Sequence, residues 1–126
     1  MPQITLKLSN NIDLTELNFT DLFRAIHKEL ELIPSLDVTT CQSGVIQEVY
    51  SYLGLGDKKT TKIYLEILWL ENQQRLLIKN DLAKNLMKLL KNKLTPPIEA
   101  QNLLCNPRIR IGNLGVIGED YYIVSQ

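Results

Sequence analysis

One residue in this sequence could do chemistry without a partner side chain, and that residue is Pro2. Cleavage of Met1 before a small second residue would leave Pro2 as the amino terminus, carrying a free secondary amine on a rigid ring. Peptide amino termini titrate at about 7.7 to 8.0, and burial lowers that value by disfavouring the charged form. A base poised near neutral pH suits proton transfer at carbon. The plainer alternative is a proline that begins a strand, a position where its missing N–H costs no ladder hydrogen bond.

The other reactive side chains are sparse. Cys41 and Cys105 show no C-x-x-C spacing, and His27 is the only nitrogen companion available, so neither a zinc site nor any other metal or cofactor is expected. Both thiols read as reduced and buried. His27 lies one helical turn from Phe23 and Leu30 and reads as packed at the edge of an apolar stripe. Gly54-Leu55-Gly56-Asp57-Lys58-Lys59 is a turn by composition. It is not a phosphate loop, because further glycine spacing and a following helix are missing. Fourteen basic residues balance fourteen acidic ones, which excludes charge-driven binding to nucleic acid or an anionic membrane. The lysines Lys84, Lys88 and Lys91 then form a solvated helix face.

These residues must be positioned by a small scaffold. The 126 residues fit one domain, 1–126. Ile4, Leu6 and Leu8 alternate with polar residues, the period of a half-buried strand. Asn18 caps a helix over about 19–32, with Leu22, Phe23, Ile26, Leu30 and Ile33 as its apolar stripe and Pro34 as its stop. Residues 36–52 read as a strand followed by an irregular excursion, with Gly44 as a bulge or kink. Ile63, Leu65, Ile67 and Trp69 share one face of the clearest strand. A second helix runs from about Arg75 to Leu94, with Ile78, Leu82, Leu86 and Leu89 on its core face, and Thr95-Pro96-Pro97 stops it. A last strand covers about 108–114, and the tail to Gln126 ends in a short strand around Tyr121-Tyr122-Ile123-Val124. Two β-α-β units in tandem, about 2–42 and 62–114, predict an α+β fold in which right-handed crossovers make parallel strand pairs. Two helices would cover one face of a four-stranded mixed sheet, leaving Thr5, Lys7, Tyr64, Glu66 and Arg110 on the other.

Pro2, the doubled β-α-β plan and Leu8-Ser9-Asn10-Asn11-Ile12 together resemble the tautomerase superfamily, most closely the 5-carboxymethyl-2-hydroxymuconate isomerases, over nearly the whole chain. The resemblance implies a homotrimer whose sheets line an inner barrel, with active sites at subunit boundaries. It also implies a catalytic proline that moves a proton between carbon and oxygen of a small enol or unsaturated keto acid, with arginines holding the carboxylates. Where those isomerases carry an Ile-Arg-x-Arg pattern, this chain has Val38-Thr39-Thr40-Cys41, and where they carry Gly-x-Gly-Arg-Ser it has Glu71-Asn72-Gln73-Gln74-Arg75. Threonine and glutamine do not reproduce the arginine fork. The candidate substrate-binding positions are therefore Thr39, Cys41, Gln74 and Arg75, with Arg108 and Arg110 as replacements.

Two functions compete. One is an intramolecular isomerase, a keto-enol tautomerase acting on a small organic acid, with decarboxylating or dehalogenating chemistry as variants that the residues do not separate. The other is a trimeric binding or structural protein that keeps the fold after losing the arginines. Pro2 tips the balance towards the enzyme. No apolar run approaches the ~20 residues of a membrane span, and the start lacks a signal-peptide core, so the expected location is cytoplasmic.

Overall fold

A computed structural model describes residues 2–114 of the chain. The first strand, β1, is Gln3–Leu8, and its buried-exposed alternation follows the apolar pattern of Ile4, Leu6 and Leu8. Helix α1 follows at Phe19–Glu31. The Asn18 side chain accepts the Asp21 N–H at 3.0 Å and so satisfies one of the four free donors of the first turn. Leu22, Ile26 and Leu30 are its buried residues. The strand β2 is Gln42–Gln47, β3 is Ile63–Trp69, α2 is Gln73–Glu99 and β4 is Arg108–Asn113.

The sheet order is β2-β1-β3-β4. β1 runs parallel to β2 and antiparallel to β3, and β3 runs parallel to β4. The strands joined by each helix are thus parallel, as a crossover demands, and the fold is the expected four-stranded mixed sheet with two helices. Ile4, Leu6, Leu8, Ile63, Leu65, Ile67 and Trp69 form one core with Leu22, Ile26, Leu30, Leu86, Leu90 and Ile98 of the helices. On the opposite face the carboxylate of Glu66 draws in two cations, Arg110 at 3.1 Å and Lys7 at 3.8 Å.

Three local expectations are corrected. Residues 36–41 are not strand: Asp37 accepts both the N–H and the hydroxyl of Thr39, at 3.0 and 2.6 Å, and closes a 3-10 turn over Val38–Thr40. This is local competition by a short polar side chain against the extended backbone. Gly44 is neither bulge nor kink, since it pairs with Thr5 in an unbroken register. Pro96 and Pro97 do not stop the second helix but lie inside it. Leu82, Leu86, Leu90, Leu94 and Ile98 repeat every four residues and are all buried, so the apolar stripe carries the helix through two residues that lack N–H groups. The tail strand expected around 121–124 lies outside the described residues.

Candidate active site

Pro2 is buried at the head of β1, and its carbonyl accepts the Gln42 N–H at 3.1 Å. Gln3 pairs with Gln42 on one side and with Leu68 on the other. Extending that register by one residue sets Pro2 between Cys41 and Trp69. The Trp69 side chain is fully buried. Its ring carries the guanidinium of Arg75, whose central carbon is 5.6 Å from the ring centroid.

Arg75 is only 8% exposed. Its backbone N–H donates to the Asn72 side chain at 2.8 Å, which caps α2. Its Nη1 donates to the Leu70 carbonyl at 2.6 Å and its Nη2 to the Ser35 carbonyl at 3.4 Å. Two buried donors beside each other, Arg75 Nε and Trp69 Nε1, have no hydrogen-bond partner among the described residues. Unmet buried donors are rare enough that each calls for an explanation.

The remaining candidates divide by position. Cys41 is part-buried against the core, and burial pushes its thiol up, so it is a neutral thiol rather than a thiolate at neutral pH. Thr39 is exposed and its hydroxyl is engaged by Asp37. Gln74 is exposed in the first turn of α2. Arg108 and Arg110 project from the helix-free face, paired in register with Tyr64 and Glu66. Arg108 is therefore at the far end of the sheet from Pro2, five strand positions from the Trp69 level, roughly 17 Å away. Pro2, Cys41, Trp69 and Arg75 are brought together, and Arg108 is not.

Arg108 and Arg110 instead line a cavity of about 830 Å³ with Lys62, Tyr64, Asn106 and Ile109. A second cavity, of about 370 Å³, lies between Asn10, Asn11, Tyr52 and Lys58. Pro2 lines neither of these. Among the described residues no group of three or more His, Cys, Asp or Glu is placed to hold a metal ion. No helix among the described residues is long and apolar enough to cross a membrane. His27 meets Ser43 across the gap between α1 and β2, Nε2 to Oγ at 2.6 Å.

The Ser9-Asn10-Asn11-Ile12 stretch, a polar turn in the sequence, fastens the irregular excursion 48–62 to the sheet. The Asn11 amide donates to the carbonyls of Lys58 and Thr60, and the Asn10 N–H donates to Ser51. Sequence reasoning also missed Trp69 as a neighbour of Pro2. Its phase in β3 placed it in the core, but antiparallel pairing with β1 is what puts it beside the proline.

No protein-family model matches the chain, and no curated protein matches it in sequence. Solved structures do match in shape. A 5-carboxymethyl-2-hydroxymuconate isomerase from Deinococcus radiodurans R1 superposes with a TM-score of 0.73 at 13% identity, over 89% of this chain and 81% of that one. A 5-carboxymethyl-2-hydroxymuconate delta-isomerase gives 0.72 at 11% identity, over 90% and 82%. A fused 4-OT symmetric trimer gives 0.59 at 9% identity, over 88% and 85%. The chain has the tautomerase fold.

Proposed function

We propose that this chain, which has the tautomerase fold, is an isomerase that moves a proton within a small enol or unsaturated keto acid. Pro2 is its general base and then its acid. The observation that carries the reading is the burial of Pro2 at the head of β1, between the Cys41 and Trp69 levels, on the scaffold shared with 5-carboxymethyl-2-hydroxymuconate isomerases. In the neutral amine the lone pair takes the hydroxyl proton of the enol. The resulting ammonium then delivers a proton to carbon, which closes the cycle without a cofactor. A site enclosed by low-dielectric groups keeps that amine neutral near pH 7.

The site is proposed to form at the boundary of a homotrimer. In a single chain the cations of the open sheet face, Arg108 and Arg110, lie in a different region from Pro2. A neighbouring subunit would bring them to its mouth, where an arginine fork holds a carboxylate. Thr39, Cys41 and Gln74 would then form the polar rim on the Pro2 side. One carboxylate is favoured over two, because the positions in question carry threonine, cysteine and glutamine.

The test follows ketonisation of phenylenolpyruvate and 2-hydroxymuconate by untagged protein with Met1 removal confirmed by mass. Pro2→Ala is expected to cost about ten- to ten-thousand-fold in turnover. Equal turnover by the two proteins overturns the assignment. A second reading, a trimeric binding protein, draws on the engagement of Thr39 by Asp37 and on the neutral Cys41 thiol. It is favoured if neither protein turns over either enol.

A further inference from the structure

We infer that Arg75 is a positioning residue of this site rather than a ligand for substrate, pinning Trp69 and the segment before β2 on either side of Pro2 and setting a fixed positive charge behind the prolyl amine. The inference rests on the reading of Pro2 as the base. Two chain segments converge on the guanidinium: the end of β3, through the Leu70 carbonyl and the Trp69 ring beneath it, and the turn after α1, through the Ser35 carbonyl. Ser35 opens the segment that reaches Cys41 and ends where Gln42 bonds to Pro2. The two segments that Arg75 ties are thus the two that flank the proline.

Burial decides between binding and positioning. Arg75 Nε and Trp69 Nε1 expose essentially no surface, and both terminal nitrogens are committed to backbone carbonyls. Of its five N–H groups two are committed to backbone carbonyls, and the unmet Nε is sealed from solvent, so burial rather than a lack of donors keeps a substrate carboxylate off this side chain. No ion pair among the described residues includes Arg75, so no carboxylate is in contact to offset its charge.

Of the other titratable groups on the surrounding elements, Glu71 is paired with Lys79 and Cys41 is a protonated thiol, whereas Asp37, which accepts from Thr39, remains an ionised carboxylate whose charge acts on the amine in the opposite sense to Arg75. The Trp69 ring on which the guanidinium sits belongs to the strand position next to Pro2. A positive charge nearby disfavours the protonated amine and lowers its titration.

The experiment uses full-length untagged protein, labelled with 15N at proline, as wild type, Arg75→Met and Arg75→Lys, and follows the amino-terminal nitrogen by NMR across pH. Arg75→Met is expected to raise the amine titration by about half to one pH unit. Arg75→Lys keeps the charge but not the fork and is expected to stay within about 0.3 of wild type. With phenylenolpyruvate at pH 7, kcat should fall about three- to tenfold in Arg75→Met while KM stays within about twofold. An unchanged amine titration in folded Arg75→Met overturns the inference, as does a tenfold rise in KM with kcat preserved. If Arg75→Met does not fold, Arg75→Lys decides: a reduced kcat with a wild-type amine supports positioning, and a wild-type kcat overturns it. Because the titration needs no substrate, it reads Arg75 even where Pro2→Ala shows the proline not to be the base.

Discussion

The backbone N–H of Lys62 donates to the hydroxyl of Ser9 at 2.8 Å, so a serine with no exposed surface holds the entrance to β3. The same hydroxyl donates to Asn11 Oδ1 at 2.7 Å, and the Ser9 N–H returns a bond to the Lys62 carbonyl. Ser9→Ala leaves the Lys62 N–H and the Asn11 carboxamide oxygen unmet at once. The expected loss is about 1–3 kcal/mol, the range for orphaned buried polar groups, read as a lower midpoint in urea with an unchanged m-value.

Acid should loosen the excursion 48–62 before it unfolds the protein. Glu48 accepts Lys62 Nζ at 2.8 Å and Ser51 Oγ at 2.7 Å, and these two hydrogen bonds hold its carboxyl below the ordinary glutamate value. The folded value is depressed, so the contribution is fully present above the unfolded value, 4.5, and is lost as pH falls through the folded one. Amide exchange at Asn10, which donates to Ser51, should accelerate below that pH in wild type. In Glu48→Gln the acid-dependent step should be absent.

The prolines of α2 give a prediction of opposite sign. Ala100 donates to the Pro96 carbonyl at 3.0 Å, and Asn102, at φ 62°, closes the end in the left-handed region that asparagine tolerates. The backbone at Pro96 and Pro97 is therefore helical, and two carbonyls a turn earlier lack their usual donors. Pro96→Ala restores one donor and relieves the ring clash, while the unfolded chain gains about 0.4–1 kcal/mol of entropy that offsets part of the benefit. A net gain of about 1–2 kcal/mol is expected, seen as a higher Tm. A lower Tm would mean that the rings themselves pack in the core.

What the sequence disclosed follows from which forces are local. Ile4, Leu6 and Leu8, like Ile63 to Trp69, announce strands because burial on one face imposes a period of two, and Leu22, Ile26 and Leu30 announce a helix for the same reason at a period of 3.6. Thr39 was misplaced because Asp37, two residues earlier, offers the backbone a side-chain partner that outweighs β-branched propensity. The role of Arg75 was hidden because Glu71-Asn72-Gln73-Gln74-Arg75 reads as polar surface. Its partner Ser35 is 40 residues away, and no spacing encodes that contact. The site beside Pro2 is legible only once the antiparallel register sets Trp69 across from it.

The proposed sharing of the site between subunits would have a stoichiometric signature. Arg108 pairs with Tyr64 at the Leu8 end of β1, whereas Pro2 lies at the Gln3 end, so no side-chain motion within one chain joins them. If a neighbour's Arg108 holds the carboxylate, Arg108→Ala should raise KM about ten- to a hundredfold, the loss of a charge-assisted pair, with Pro2 intact. Arg110→Ala should cost less, because Glu66 already engages that guanidinium. Pro2→Ala and Arg108→Ala subunits, each inactive at low substrate, are then unfolded together and reassembled in equal amounts. Half the sites take their proline from an Arg108→Ala subunit and half of those face a neighbour with Arg108 intact, so about a quarter of sites should be whole in a closed ring. Activity recovered near that fraction establishes a shared site. No recovery means that the carboxylate is held within the subunit that carries Pro2, and the cations of the open sheet face then serve another purpose.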